Sequence, residues 1–298
     1  MRRFLGLLTP GNIREVRQLS VAEYRVHRDC VYWLSSFISA QQLFAMVRLN
    51  YLNFRQLVEG GLLNFAQQGA ATRNQMAAMQ LHANLCVLNY LTSVRTFLDH
   101  TETRLKRTYG AQSPQYGRFR DARTREYETS FSYRFVYKLR NYVQHCGLPL
   151  AAITFAAEVV DRESGKASFK IELNLDRDSL LSDYHEWGSQ LTSEIKALQR
   201  KFDIGPHLVA ITESMSRIQG VVLQDEISEA NRRAQPIRTL LGPLEGQEGS
   251  PCIVAYDTNG KHLPSDGLGI EIEHFPMEVL HLLAEVTGRP GLPNHPRP

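Results

Sequence analysis

The stretch that decides the fold opens at Asn74-Gln75-Met76-Ala77-Ala78-Met79-Gln80-Leu81 and runs to about Tyr109. Along it Leu81, Leu85, Leu88, Leu91, Val94 and Leu98 recur at spacings of four and three. That recurrence is the signature of one amphipathic helix, whose apolar stripe must be covered by neighbours. Gly110 to Gly117, broken by Ser113-Pro114, reads as a loop. A second long helix is predicted from Arg118 to His145, with Gly147 as a left-handed cap and Pro149 as the stop. Upstream, Ser39 reads as an N-cap to a helix from Ala40 to about Val58, interrupted at Gly60-Gly61. Three helices with short connections predict an antiparallel bundle. Residues 1–38 give no clear signal, and Val26 to Phe37 fits a short strand or the lead-in to a helix.

After Pro149 the pattern changes. Ile153 to Val160 and Ala167 to Leu175 flank Glu163-Ser164-Gly165-Lys166, and Phe169, Ile171, Leu173 and Leu175 alternate with polar residues. That predicts a β-hairpin with one buried face. Helices are predicted over Asp178 to Phe202 and His207 to about Ala234, the second stopped by Gln235-Pro236. A Gly- and Pro-rich linker from Gly242 to Pro251 leads to two short strands, Cys252–Tyr256 and Gly269–His274, a helix from Pro276 to Thr287, and a disordered tail from Gly288. The fold class is therefore mainly α: an N-terminal helical bundle over 1–150, a hairpin with two helices over 151–241 packed on it, and a small strand–strand–helix unit within 242–298.

The 298 residues are 43% hydrophobic and 22% charged, a globular composition with enough apolar residues for a sizeable core. No consecutive apolar run approaches the ~18 residues that span a membrane, and the basic start Met1 to Leu8 is too short for a signal peptide. The expectation is a cytoplasmic protein that does not engage membranes. Cys30, Cys86, Cys146 and Cys252 form no Cys-x-x-Cys pair, so neither a zinc knuckle nor a disulfide framework is expected, and most should be buried free thiols.

The net charge is +3, but it is unevenly distributed. Between Arg104 and Arg140 stand ten basic residues, among them Arg118, Arg120, Arg123, Arg125, Arg134 and Lys138, against Asp121, Glu126 and Glu128. Such a local basic field attracts polyanions such as nucleic acid; the plainer alternative is a solvated basic helix face. Tyr133, Phe135 and Tyr137 lie within it and suit either bundle packing or base stacking.

The basic stretch ends in Arg140-Asn141-Tyr142-Val143-Gln144-His145. An Arg followed by a His occurs at similar spacing at Arg95/His100, Arg200/His207 and Arg289/His295, so the spacing alone says little. The hexapeptide differs in having Asn directly after the Arg, in ending a helix, and in closing the basic run. It resembles the Arg-Asn-x-x-x-His motif of the HEPN superfamily of helical-bundle ribonucleases and toxins, a resemblance that covers roughly residues 30–150. The tyrosine-rich extension that some toxins of that superfamily carry after the His is replaced here by Cys146-Gly147-Leu148-Pro149.

The resemblance implies a metal-independent endoribonuclease with no cofactor, serving toxin–antitoxin or phage-defence roles and controlled by a regulatory protein partner. Cutting RNA without a metal needs a base at the 2′-hydroxyl, an acid at the leaving 5′-oxygen and positive charge on the phosphate. His145 can move the proton, Arg140 can fork two donors onto a phosphoryl oxygen, and Asn141 can orient the imidazole or bind the phosphate. Positions 140 and 145 stand about 140° apart around an ideal helix. Two copies facing each other would complete the site, as the family builds it, which predicts a homodimer. The alternative is a non-catalytic helical scaffold that binds RNA or a protein. Asp99, His100 and Glu102 do not share a face suited to a metal, Asp257, His262 and Asp266 lie in a Gly-rich loop, and Trp33 and Trp187 are expected in cores.

Overall fold

The computed structural model describes residues 2–64, 72–161, 166–256 and 269–287. The protein is mainly α, a helical bundle followed by a smaller α+β region, with two small antiparallel sheets. It divides into two compact units, one formed by residues 42–223 and the other by 1–41 together with 224–298. These limits differ from boundaries at 150/151 and 241/242: the hairpin region shares a core with the bundle, and the C-terminal strands pair with the N-terminus.

In the terminal unit, β1 (Arg2–Thr9) and β2 (Asn12–Gln18) form a hairpin across Pro10-Gly11. Gly11 sits at φ 75°, where only glycine is unstrained. The sheet order is β2-β1-β6-β7, with β6 (Ser250–Tyr256) and β7 (Ile270–His274) supplied from the other end of the chain. The linker predicted over 242–251 is thus shorter: a 3-10 turn takes Gly242–Leu244 and β6 begins at Ser250. Helix α8 (Met277–Thr287) buries Val279, Leu280 and Leu283.

Helix α1 (Val21–Gln56) starts nineteen residues before Ala40. Its start is a capping box: Ser20 Oγ accepts from the Glu23 amide at 3.1 Å, and Glu23 accepts from the Ser20 amide at 2.8 Å. Ser39 is not a cap but an interior residue, its hydroxyl donating to the Ser35 carbonyl. Cys30, Leu34 and Phe37 give the buried face of this segment, and His27, buried, meets Glu273 of β7 at 3.3 Å. Gly60-Gly61 does not end the helix. Leu57–Leu62 winds as a π-helical segment and helical structure continues through Asn64. An 18-residue window within Val21–Leu62 is long and apolar enough to cross a membrane, and 28% of it is buried. Ser35, Ser36, Gln41 and Gln42 break up the apolar residues between Val31 and Val47, so no unbroken apolar run marks the helix.

In the unit of residues 42–223, α2 (Arg73–Tyr109) packs against α3 (Pro114–Thr129) and α4 (Phe131–His145). The stripe of α2 is displaced from the predicted one. Leu91, Val94 and Leu98 are buried, but Leu81 and Leu85 are 64% and 51% exposed, and the inward face is completed by Val87, Tyr90, Phe97 and Leu105. The single helix predicted over Arg118–His145 is two helices. Ser130 is extended, at φ −114° and ψ 114°, and its side chain accepts from the Tyr133 amide to cap α4. Gly147 lies outside the left-handed region; Cys146 closes α4 by donating its amide to the Tyr142 carbonyl.

The hairpin β3 (Ala152–Asp161) and β4 (Lys166–Asp176) extends to a third strand, β5 (Lys201–Asp203). Leu173 and Leu175 face the core as expected, and Asn174 is buried as well, its amide donating to Thr154 at 2.8 Å. The residues of its turn, the tail from Gly288, and Asp257, His262, Asp266, Arg289 and His295 lie outside the described residues.

The helix predicted over Asp178–Phe202 resolves into α5 (Arg177–Asp183), α6 (Ser189–Lys196) and β5. Gly188 at φ 87° makes the break, because that conformation cannot continue a right-handed helix. Helix α7 (Gly205–Leu241) runs through Gln235-Pro236. A proline inside a helix costs about 3 kcal/mol. Here the apolar stripe continues past it, with Ala230, Ala234, Ile237 and Leu241 all buried, and that burial outweighs the lost hydrogen bond.

Trp187 seats α4. It is 2% exposed, stacks on Phe135 and Tyr142 at centroid distances of 6.0 and 6.2 Å, and donates its indole N–H to the Leu180 carbonyl at 2.9 Å. Trp187→Ala is expected to destabilise this unit by about 3–5 kcal/mol, from lost apolar burial and the cavity left behind. Urea unfolding followed by far-UV circular dichroism measures the change.

Candidate functional site

Helix α4 is two-sided. Phe135, Val136, Leu139 and Tyr142 point inward, each 5% exposed or less. With these side chains fixed, Tyr133, Tyr137, Asn141 and His145 follow one another at intervals of four along another face. Tyr133 and Tyr137 stack with centroids 6.2 Å apart and planes 6° apart. Arg140 and Asn141 are half-buried and His145 is exposed, so the hexapeptide ends at solvent. Arg140 donates to Gln144, one turn on, while Asn141 and His145 have no hydrogen bond or ion pair among the described residues. Arg140 and the Asn141–His145 pair do not converge on one atom within the chain, as the helical angle dictates.

The basic residues separate into two groups. Arg134 is 5% exposed and held by Glu194 at 2.5 Å and by the carbonyls of Tyr127 and Glu128. It ties α4 to α6 and to the end of α3, and its guanidinium lowers the Glu194 carboxyl. Lys138 donates to the Glu186 carbonyl at 3.0 Å. Arg123 is paired with Glu102 across the helices. These three hold the bundle together. Arg118, Arg120 and Arg125 are exposed on α3, and among the described residues Arg120 meets only its neighbour Asp121, at 3.4 Å.

The remaining Arg/His pairs do different work. Arg95 binds Asp99 and the Tyr137 hydroxyl, and His100 is exposed. Arg200 faces Asp176 and Asp178, whereas His207 packs among Phe131, Phe135 and Phe202 with Ser132 at 2.9 Å. Burial pushes the His207 imidazole below its ordinary value. Cys30, Cys86 and Cys252 are buried free thiols and Cys146 is exposed. Among the described residues no three His, Cys, Asp or Glu side chains gather where a metal could bind.

Next to the tyrosine pair lies a cavity of about 400 Å³. Helix α3 lines it with Tyr116, Arg120, Arg123 and Tyr127, spaced four, three and four, and Glu128 stands at one end. Tyr133 and Tyr137 form the α4 wall, and Glu102 of α2 the floor. Glu102 accepts from Lys106 at 2.6 Å, from Arg123, and from the Tyr116 hydroxyl at 3.1 Å. These bonds, Lys106 first, hold its carboxyl down at about 2. Burial pushes the Tyr133 phenol up to about 12. This cavity was not anticipated. Its signal was available in the helical spacing of Tyr116, Arg120, Arg123 and Tyr127, but reading that face required the helix to begin at Pro114, not Arg118.

Glu102 gives a pH test of this partly exposed network. A carboxylate held below its unfolded value stabilises the fold above that value and loses the effect as pH falls toward the folded one. The window runs from the ordinary 4.5 down to about 2. The stability difference between wild type and Glu102→Gln is therefore expected to be largest above pH 5 and to shrink steadily below 4.5. Thermal or urea unfolding across that range measures it.

Comparison with protein-family models, with curated proteins and with solved structures finds no match for this chain.

Proposed function

We propose that the protein is a metal-independent endoribonuclease of HEPN type that acts in the cytoplasm as a homodimer. The observation that carries this reading is the position of Arg140, Asn141 and His145: together at the solvent-facing end of a firmly seated helix, outside the core. The 2′-oxygen attacks phosphorus, the bond to the 5′-oxygen breaks, and the products end in a 2′,3′-cyclic phosphate and a 5′-hydroxyl. His145 of one copy takes the 2′-hydroxyl proton and His145 of the second gives a proton to the 5′-oxygen. Arg140 exchanges Gln144 for the phosphate, a swap within one helical turn. Asn141 holds the phosphate or the imidazole in line. Arg118, Arg120 and Arg125, exposed on α3, add to the positive field that draws the polyanion. Toxin–antitoxin or phage-defence use, with a regulatory protein partner, follows from the resemblance alone.

A second reading, a non-catalytic scaffold for a protein partner, is favoured by the exposed apolar residues Met46, Leu49, Leu52, Leu81 and Leu85.

Cleavage of a labelled structured RNA in EDTA separates the two. The wild type is expected to cut, and His145→Ala to lose about 100- to 10,000-fold in rate while remaining folded by circular dichroism. Arg140→Ala is expected to lose about 100-fold or more. Equal cutting by all three proteins would place the activity elsewhere, and no cutting by any would favour the scaffold. Light scattering should give the mass of a dimer, and a monomer that cuts RNA would contradict the composite site.

A further inference from the structure

We infer that the cavity between α3 and α4 is a guanine-binding subsite, which takes the base of the nucleotide adjoining the scissile phosphate. The inference rests on the ribonuclease reading for its place in the reaction, but its chemistry stands on the cavity itself.

The volume, about 400 Å³, suits one planar base with room for its sugar at the mouth. Tyr127, 39% exposed, presents aromatic surface on which a base can stack, while the Tyr137 ring, packed against Tyr133 and the Arg95 guanidinium, walls the cavity. The polar groups decide which base. At the floor Glu102 already accepts from Lys106, Arg123 and the Tyr116 hydroxyl, which pairs the Arg123 charge as well. That leaves Arg120 and Glu128, two turns apart on α3. Arg120 has only a long, exposed contact with Asp121, a kind of pair that is weak in water. The Glu128 carboxylate has no hydrogen bond or ion pair among the described residues. A guanidinium only donates and a carboxylate only accepts. Guanine meets both: O6 and N7 accept side by side, as a guanidinium requires, while N1–H and N2–H donate side by side, as a carboxylate requires. Adenine places a donor beside N7 and calls for an amide, and no Asn or Gln lines the cavity.

Position supports the assignment. Tyr137, Asn141 and His145 follow along one helix face in steps of about 6 Å. A base held in the cavity beside Tyr137 therefore lies one turn from Arg140 and Asn141, within reach of its phosphate.

Titration of the full-length protein with 5′-GMP, 5′-IMP and 5′-AMP tests the subsite without any cleavage. GMP is expected to bind on the order of tenfold tighter than IMP, which lacks the 2-amino group, and tighter still than AMP. Glu128→Gln should bring GMP to the level of IMP, and Tyr127→Ala should weaken all three. Equal binding of the three nucleotides, no measurable binding of any, or unchanged selectivity in Glu128→Gln would overturn the subsite. Selective GMP binding by a protein that cuts no RNA would sink the ribonuclease reading and leave the guanine pocket standing. RNA cleavage without nucleotide selectivity would do the reverse.

Discussion

Helix α4 can hold the hexapeptide at solvent only because its other face is immobilised. Phe135 and Tyr142 stack on Trp187, and Trp187 is pinned by its bond to the Leu180 carbonyl. An aromatic core side chain in such a setting contributes about 3–5 kcal/mol, a large share of the 5–15 kcal/mol by which domains are usually stable. The turn that supplies Trp187 exists because Gly188 can take a positive φ. The rotational setting of Tyr133, Tyr137, Asn141 and His145 follows from this packing, and a shift of one residue in register would turn all four away by about 100°.

Charge is organised on the same principle. The basic run is not uniformly available to a polyanion. Arg123 and Arg134 are drawn inward to Glu102 and Glu194, where they bridge helices. Arg217 of α7, itself exposed, reaches from the surface to the buried Glu126, whose carboxyl its hydrogen bonds lower. Breaking such a partly buried pair by removing one partner leaves a charge without compensation, which costs more than the intact pair contributes. The outward charge is carried by Arg107, Arg118, Arg120 and Arg125, with Lys106 exposed but paired to Glu102, fewer residues than a count along the chain suggests.

The fold class was legible because periodicity survives in a single sequence. The long helix through Leu91, Val94 and Leu98, the hairpin around Leu173 and Leu175, and the terminal strand–strand–helix are all present. Boundaries were harder to read. Ser20-Val21-Ala22-Glu23 is a capping box that marks the true start of α1, yet the apolar residues after it are spread too widely for a clear stripe. Gly60-Gly61 and Pro236 look like stops, but glycine can be absorbed by a π-helical turn and proline by a well-buried face. The pairing of β1 with β6 joins the two ends of the chain, and no local pattern encodes it. At the site, the exposure of His145 could be read from its place at a helix end. The loss of Arg134 to the interior could not, because its partner Glu194 is sixty residues away.

The central claim is that the hexapeptide at the end of α4 directs attack by the substrate's own 2′-hydroxyl. The most direct measurement uses an RNA cut by the wild type in EDTA, resynthesised with a single 2′-deoxynucleotide 5′ to the mapped scissile bond. The account predicts that cutting at that bond disappears while other bonds in the same molecule are still cut, with 2′,3′-cyclic phosphate ends. Cutting at the deoxy position at an undiminished rate would contradict it, because water would then be the nucleophile.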